Sequence, residues 1–231
     1  MSKLPIPPKK SVKPNAFIFD LNGTMIDDME YHIKAWHALV NGPLGGSMAR
    51  EDVKGHMYGK NSEVLIRIFG KERFTPEEMD LLSIEKEKKY QQEYKPHLTL
   101  IPGLLTFLQE SFDAGIGLGI GSAAIDFNID FVLDNLDIRK YFKAIISADH
   151  VRTSKPDPET YLKAALLLKA DPDRCIVFED APKGVEAALN ASMKCVVLTT
   201  MHTADEFEMY PNILYFIKDY TDPVLGKLVN G

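Results

Sequence analysis

The stretch of sequence that decides the fold covers residues 16–24 and reads AFIFDLNGT. Its first four residues are apolar, and Asp20 follows them directly. A short, continuously apolar run that ends in a polar turn is typical of a strand buried on both faces of a sheet. Helical spacing of apolar residues begins near Met29. We therefore expect a first strand that delivers an aspartate to the edge of a buried parallel sheet.

Beyond Ile101 the sequence alternates between helical and strand-like patterns. The predicted helices cover residues 104–113, 127–135, 158–169 and 182–190. The predicted strands that follow them cover residues 116–120, 144–147, 175–178 and 194–198. Such βαβ repetition predicts a parallel sheet with helices on both faces, and ligands of such sheets bind at the carboxyl ends of the strands.

The region between these two parts has no good strand pattern. The segment TPEE at residues 75–78 predicts a helix start with proline at the first helical position. The charge run EKEKK at residues 85–89 predicts a solvent-exposed helix face without chemistry. We therefore expect a helical cap inserted after the first strand. The predicted division is an extended tail at 1–14, an α/β core at 15–28 and 99–231, and a cap domain at 29–98.

Composition limits the classes of function. The chain has 231 residues, of which 45% are hydrophobic and 26% charged, as in ordinary globular proteins. No apolar run approaches the ~20 residues of a membrane span, which excludes an integral membrane protein. Lys and Arg number 27 against 33 Asp and Glu, so the net charge of −6 excludes a global basic field for nucleic acid. The expected partner is a small anionic molecule held by local Lys and Arg.

Two further features predict a cytoplasmic location. The N-terminal segment MSKLPIPPKKSVKPN lacks the apolar core of a signal peptide, and its prolines favour an extended arm. Cys175 and Cys195 lie beside apolar runs and form no C-x-x-C pair, which predicts buried free thiols. The oligomeric state does not follow from the sequence.

Chemically active side chains follow the predicted strands. Asp20 ends the first strand, Ser122 the second and Glu179-Asp180 the fourth, while Lys155 follows the third. Converging carboxylates raise one another's pKa unless a cation intervenes, and oxygen ligands favour a hard cation such as Mg²⁺. A metal, a lysine, a hydroxyl and main-chain N–H groups can together hold a phosphoryl group. A carboxylate can also serve as the nucleophile, through an aspartyl-phosphate.

Four segments resemble, in order, the motifs of the haloacid dehalogenase superfamily, whose first motif usually reads Asp-x-Asp-Gly-Thr/Val. These segments are FDLNGT at 19–24, GS at 121–122, KPDP at 155–158 and EDAPKGVEAA at 179–188. The helical insert is similar to the cap of β-phosphoglucomutase-like and phosphoglycolate-phosphatase-like members. The resemblance implies a Rossmann-like α/β fold, a parallel-sheet core with an inserted helical cap domain. It also implies Mg²⁺-dependent phosphoryl transfer on a small phosphorylated metabolite.

The resemblance implies a role for each matching residue. The implied catalytic residues are the nucleophile Asp20, the phosphoryl clamp Ser122 and Lys155, and Asn22. The implied Mg²⁺ ligands are Asp20, Asp180, the main-chain carbonyl of Asn22 and, often through water, Glu179. The predicted substrate contacts are Gly23, Thr24, His32, Lys54, Gly55, Lys60 and Ala123.

Asn22 departs from the family pattern, which has a second Asp here as general acid/base. An amide cannot usefully donate or accept that proton near neutral pH, and such catalysis is worth ~10²–10⁴-fold. Three interpretations are compatible with the sequence: a weak or specialised phosphatase, a phosphate-binding pseudoenzyme, or an engineered substitution that traps a state. We favour the phosphatase.

Two other activities are alternatives. The segment EYHIKAW at 30–36 resembles the cap hinge of β-phosphoglucomutase, where the His orients the acid/base residue. A mutase must also hold a distal phosphate after the second motif, yet AAID at 123–126 has no cation and Asp126 would repel a phosphate. A metal-free haloacid dehalogenase would leave the paired acids Glu179 and Asp180 unexplained.

Overall fold

A computed structural model describes residues 13–230, which form a six-stranded parallel sheet flanked by helices. The strands are β1 (Ala16–Phe19), β2 (Gly117–Gly121), β3 (Ala144–Ile146), β4 (Cys175–Glu179), β5 (Lys194–Leu198) and β6 (Ile213–Ile217). Their order across the sheet is β3-β2-β1-β4-β5-β6. The parallel sheet predicted from the βαβ pattern is confirmed.

The helices are α1 (Met29–Asn41), α2 (Arg50–His56), α3 (Asn61–Phe69), α4 (Pro76–Tyr94), α5 (Leu104–Asp113), α6 (Asp126–Asn135), α7 (Glu159–Leu168), α8 (Pro182–Asn190) and α9 (Gly226–Asn230). Helix α4 begins where the sequence predicts. The Thr75 hydroxyl accepts a hydrogen bond from the Glu78 N–H, and the Glu78 carboxylate accepts one from the Thr75 N–H. This reciprocal pairing satisfies two N–H groups at the start of the helix.

Strand β1 lies at the centre of the sheet and is buried on both faces. Phe17 and Phe19 pack into the core on one side, whereas Ala16 and Ile18 pack into the core on the other. This alternation follows from the two-residue period of a strand. It explains why the sequence of β1 is continuously apolar rather than alternating.

Strand β6 was missed by the sequence patterns. It lies at the edge of the sheet, and Leu214 and Phe216 on one of its faces are exposed. Between β5 and β6 the chain forms only a short 3₁₀ turn at Ala204–Phe207. The alternation of helix and strand that predicts the other strands is therefore absent here.

Helices α1–α4 occupy the chain between β1 and α5. They enclose a separate apolar cluster that includes Trp36, Leu39, Val53 and Leu65. The exact limits of the cap and core domains stay a prediction, and residues 1–12 of the predicted tail lie outside the described residues. Within residues 13–230, no helix has both the length and the apolar character needed to cross a membrane.

The sheet topology positions the site. Strands β2 and β4 flank β1, and Phe19 pairs in register with Ile120 on one side and Phe178 on the other. All three strands point the same way, so the residues that follow them meet at one edge of the sheet. That edge gathers Asp20, Ser122 and the Glu179-Asp180 pair.

Candidate active site

One lysine joins two of the carboxylates at the carboxyl edge of the sheet. Lys155 Nζ lies 2.7 Å from Asp20 Oδ1 and 2.7 Å from Glu179 Oε1. The Asp20 N–H donates to the Phe178 carbonyl, which ties the loop after β1 to β4. Asp20, Glu179 and Asp180 are all buried. Lys155 therefore pairs directly with two of the three buried carboxylates.

Burial of these carboxylates raises the pKa of two of them. Burial raises the pKa of Asp20 to about 7, against the lowering effect of Lys155. Burial, and then the charges of Glu179 and Asp20, raise the pKa of Asp180 well above its usual range. An added cation would stabilise both ionised carboxylates.

The donors at this edge fit a hard cation. Within residues 13–230, no group of three or more His, Cys, Asp and Glu side chains is arranged to hold a metal by itself. The set of metal ligands that the resemblance implies has only two carboxylates in direct contact with the ion, those of Asp20 and Asp180. The main-chain carbonyl of Asn22 is the third protein ligand. Such oxygen donors suit Mg²⁺, which usually keeps several waters.

Two glycines let the carboxylates approach the main chain. Gly23 has φ +73°, and a Cβ atom there would lie 2.2 Å from Asp180 Oδ2. A Cβ atom at Gly184 would lie 1.7 Å from Glu179 Oε1. Thr24 Oγ1 donates to Asp180 Oδ1 at 3.1 Å. Gly23 and Thr24 thus lie against Asp180, and their predicted contact with substrate stays a prediction.

Gly184→Ala should displace the carboxylate of Glu179 and lower turnover. That carboxylate has little freedom to move, since Oε2 accepts from the N–H groups of Asp180 and Ala181, both at 2.9 Å. A misplacement of about 1 Å in a site can lower the rate on the order of 10²-fold. Steady-state turnover measures the effect, with Gly226→Ala, which adds its methyl group to open space, as the matched control. Equal rates for the two variants would contradict the prediction.

Ser122 and Ala123 line the same cavity as Asp20 and Lys155. The Ser122 N–H donates to the Ile146 carbonyl, and its hydroxyl accepts from the Ala124 N–H at 3.1 Å. The structure therefore brings the predicted phosphoryl clamp together with the predicted nucleophile. The roles of these residues stay predictions.

Asn22 contacts one residue that the resemblance predicts, His32, and one that the sequence analysis missed, Asp28. Its Nδ2 lies 2.6 Å from Asp28 Oδ2 and 3.1 Å from His32 Nε2. The Tyr90 hydroxyl donates to the same Asp28 oxygen at 2.5 Å, and the His32 ring stacks on the Tyr90 ring. His32 thus contacts residue 22, as the resemblance implies for the cap hinge. Asp28 and Tyr90 carry no motif that marks them.

The prediction of a solvent-exposed charge run at 85–89 is wrong for Lys86 and Glu87. Both side chains are buried and line the cavity that contains Asp20. Lys86 Nζ lies 2.9 Å from Glu87 Oε1 and 2.7 Å from His32 Nδ1. Each charge is buried because it has a partner. The four-residue spacing of Lys86, Tyr90 and Tyr94 was the available signal for an inward face.

The remaining predicted cap residues lie at neighbouring surfaces. Lys54 and Gly55 line an adjacent cavity, which Asp180 also lines. Lys60 Nζ donates to the Val151 carbonyl, and Lys60 lines a further cavity beside Phe127. The positive charges expected from this segment therefore lie elsewhere than on the wall beside Asp20. Their contact with substrate stays a prediction.

Tyr58 and Lys183, which line the cavity, form a cluster with Arg67 that has no sequence signal. The ring of Tyr58 lies between the Arg67 guanidinium and Lys183 Nζ, each 3.5 Å from the ring centroid. Arg67 belongs to α3 and Lys183 to α8, so the contact joins the helical region to the core. Stacked cation–π contacts of this kind are worth about 0.5–1 kcal/mol at exposed sites.

Comparison with known proteins identifies the family. The sequence model of haloacid dehalogenase-like hydrolases matches residues 17–198. A β-phosphoglucomutase of Bacillus subtilis (strain 168) is 31% identical over 188 residues, which cover 78% of this chain and 81% of that protein. The fructose-1-phosphate phosphatase YqaB of Escherichia coli (strain K12) is 29% identical over 181 residues, covering 78% of this chain and 93% of that protein.

A solved structure agrees with both relatives. The crystal structure of β-phosphoglucomutase from Clostridium difficile superposes with a TM-score of 0.79 at 27% identity, covering 94% of this chain and 97% of that chain. The predicted Rossmann-like core and the resemblance to β-phosphoglucomutase-like members are thereby confirmed. The chain belongs to the haloacid dehalogenase-like hydrolase family and is an enzyme of its phosphatase and phosphoglucomutase-like type.

Proposed function

We propose that this chain is a Mg²⁺-dependent phosphatase that hydrolyses a small phosphorylated metabolite through an aspartyl-phosphate on Asp20. The supporting observation is the Lys155 ammonium, 2.7 Å from Asp20 and 2.7 Å from Glu179, in the cavity that Ser122 also lines. This arrangement supplies a carboxylate nucleophile beside groups that can neutralise phosphoryl oxygens. Phosphoryl transfer depends chiefly on such positioning and charge neutralisation.

The reaction has two displacements at phosphorus. In the first, an Asp20 carboxylate oxygen attacks phosphorus while the bond from phosphorus to the substrate oxygen breaks. In the second, a water oxygen attacks phosphorus while the bond from phosphorus to the Asp20 oxygen breaks. The water proton passes to solvent or to the departing phosphate, and the Asp20 carboxylate is restored. Lys155 and Ser122 would hold the phosphoryl oxygens in both steps. The leaving oxygen takes its proton from solvent, since the Asn22 amide has none to give near neutral pH, and turnover is therefore slow.

Mg²⁺ would be held by Asp20, Asp180 and the main-chain carbonyl of Asn22, with Glu179 in support. When bound, it supplies charge stabilisation to the phosphoryl oxygens. Chelation with EDTA should lower phosphate release on the order of 10³-fold, because such stabilisation is worth several kcal/mol. Added Mg²⁺ should restore the rate. Equal phosphate release with and without EDTA would argue against a metal.

The proposed activity is tested with a panel of phosphorylated metabolites in Mg²⁺. The names of both relatives refer to hexose phosphates, so phosphorylated sugars are the first substrates to test. We expect phosphate release to be fastest from one of them. A panel without phosphate release, alongside measurable ligand binding by calorimetry, would instead support a phosphate-binding pseudoenzyme. The cytoplasmic location also stays a proposal.

β-Phosphoglucomutase is the second candidate, because one relative and one solved structure have that activity in their names. From the sequence, Asp126 is expected to repel a distal phosphate and so to disfavour a mutase. In the structure, Asp126 Oδ2 lies 3.4 Å from His150 Nε2. The residues of this segment and of α6 that line the cavity are Ala123, Ala124 and Asn128. The expected repulsion by Asp126 is therefore absent from this wall. Formation of glucose 6-phosphate from β-glucose 1-phosphate, with glucose 1,6-bisphosphate present, would support the mutase.

A further inference from the structure

A buried carboxylate lies against the amide of Asn22. Asp28 is fully buried, and its Oδ2 accepts hydrogen bonds from Asn22 Nδ2 at 2.6 Å and from the Tyr90 hydroxyl at 2.5 Å. His32 Nε2 lies 3.3 Å from the same oxygen. The other oxygen, Oδ1, is buried and has no hydrogen-bond partner among residues 13–230. Asp28 therefore directs its contacts toward residue 22 and the groups around it.

These contacts determine how the Asn22 amide is turned. A carboxylate can only accept hydrogen bonds, so the amide nitrogen must face Asp28. Asn22 lines the cavity together with Asp20, whereas Asp28 lies behind it. The amide oxygen Oδ1 is thus the polar atom that residue 22 has free for a molecule in the cavity. It can accept a hydrogen bond but cannot donate one.

The surrounding groups support this arrangement from two helices. From α4, Lys86 Nζ lies 2.7 Å from His32 Nδ1 and can only donate to it, so the ring proton of His32 belongs on Nε2, toward Asp28. Asn22 Nδ2, 3.1 Å from the same Nε2, therefore contacts His32 without a hydrogen bond, and its hydrogen bond goes to Asp28. Glu87 lies on the far side, 3.9 Å from His32 Nδ1. Burial and the Asp28 charge raise the pKa of Tyr90, which keeps its hydroxyl a donor. Asp28 Oδ2 is therefore surrounded by hydrogen-bond donors. An aspartate at position 22 would replace one of these donors, the Asn22 amide, with a second negative charge.

We propose that Asp28 is a positioning residue for the proposed phosphoryl transfer, on which this inference rests. It holds the Asn22 amide so that Oδ1 accepts a hydrogen bond from the water or hydroxyl beside Asp20. Residues 22 and 28 then function as a complementary amide–carboxylate pair. An aspartate at position 22 is compatible with the site only when position 28 provides the amide.

The test compares the wild-type chain with Asn22→Asp, Asp28→Asn and the exchange variant that carries both substitutions. Asp27→Asn, at an exposed neighbouring carboxylate, is the matched control. We expect Asp28→Asn to lower kcat for phosphate release about 10- to 100-fold with KM unchanged, as for loss of a hydrogen bond to a charged group. Asn22→Asp should fall below wild type, and the exchange variant should reach at least the wild-type kcat.

Two outcomes would overturn the proposal. One is an Asn22→Asp kcat equal to that of the exchange variant, and the other is an Asp28→Asn kcat equal to that of the Asp27→Asn control. If no chain releases phosphate, the proposed function fails, and urea unfolding of the same variants decides the pairing separately. Recovery of stability in the exchange variant would support the pair, whereas additive losses would overturn it.

Discussion

Asp20→Asn should abolish the phosphoenzyme and lower phosphate release on the order of 10⁴- to 10⁶-fold, the scale on which loss of a catalytic nucleophile acts in other enzymes. The amide of Asn cannot form the aspartyl-phosphate on which the proposed mechanism depends. It also removes one of the two carboxylates that contact Lys155, at 2.7 Å. Transition-state stabilisation by Lys155 and Ser122 would remain, but without a nucleophile it has no covalent step to assist.

The phosphoenzyme can be measured directly. Acetyl phosphate, an activated phosphoryl donor, should add the mass of one phosphoryl group to the wild-type chain in intact-mass spectrometry. The adduct should accumulate, because Asn22 offers no base to activate the water that removes it. Asp113→Asn, at an exposed carboxylate, should label like wild type. Labelling of Asp20→Asn to the wild-type extent would contradict the assignment of the nucleophile.

Glu87→Gln should lower the free energy of unfolding by about 3–5 kcal/mol, the usual effect of removing one partner of a buried ion pair. Glu87 accepts hydrogen bonds from Lys86 at 2.9 Å, from Asn61 at 2.8 Å and from Asn128 at 2.7 Å. The amide keeps the shape but leaves the buried Lys86 ammonium without the carboxylate that contacts it. Burial already lowers the pKa of Lys86, which indicates how poorly this site solvates a charge.

Urea unfolding measures this effect, with an exposed pair as control. Lys89→Gln disrupts the surface pair of Lys89 with Glu85 and should change stability by only about 0–1 kcal/mol. Burial alone would raise the pKa of Glu87, but its contacts, above all the Lys86 charge, lower it from 4.5 to about 2. Its contribution to stability is therefore present above about pH 4.5 and is lost as the pH falls toward 2. The difference between wild type and Glu87→Gln should narrow over that range, and a loss no larger than that of Lys89→Gln would contradict the prediction.

Most of the fold and the carboxyl edge of the sheet could be predicted from sequence. Buried parallel strands are continuously apolar, so β1 was recognisable, and the alternation of strands and helices implied a parallel sheet. Once the strands are parallel, the residues that follow them must meet at one edge. Asp20, Ser122 and the Glu179-Asp180 pair were therefore predictable as neighbours before any distance was known.

The surroundings of Asn22 could not be predicted in this way. The sequence pattern predicts that Lys86 and Glu87 belong to a solvent-exposed charge run. The prediction is wrong because burial of a charge depends on whether it has a partner. His32 lies 54 residues away from Lys86 in the sequence, and Tyr90 lies 62 residues from Asp28. The four-residue spacing along α4 can indicate an inward face, but it does not identify the partners, which meet only when α4 packs against α1. The sequence therefore specifies the edge that holds the carboxylates, whereas packing of distant helices sets the polar environment of residue 22.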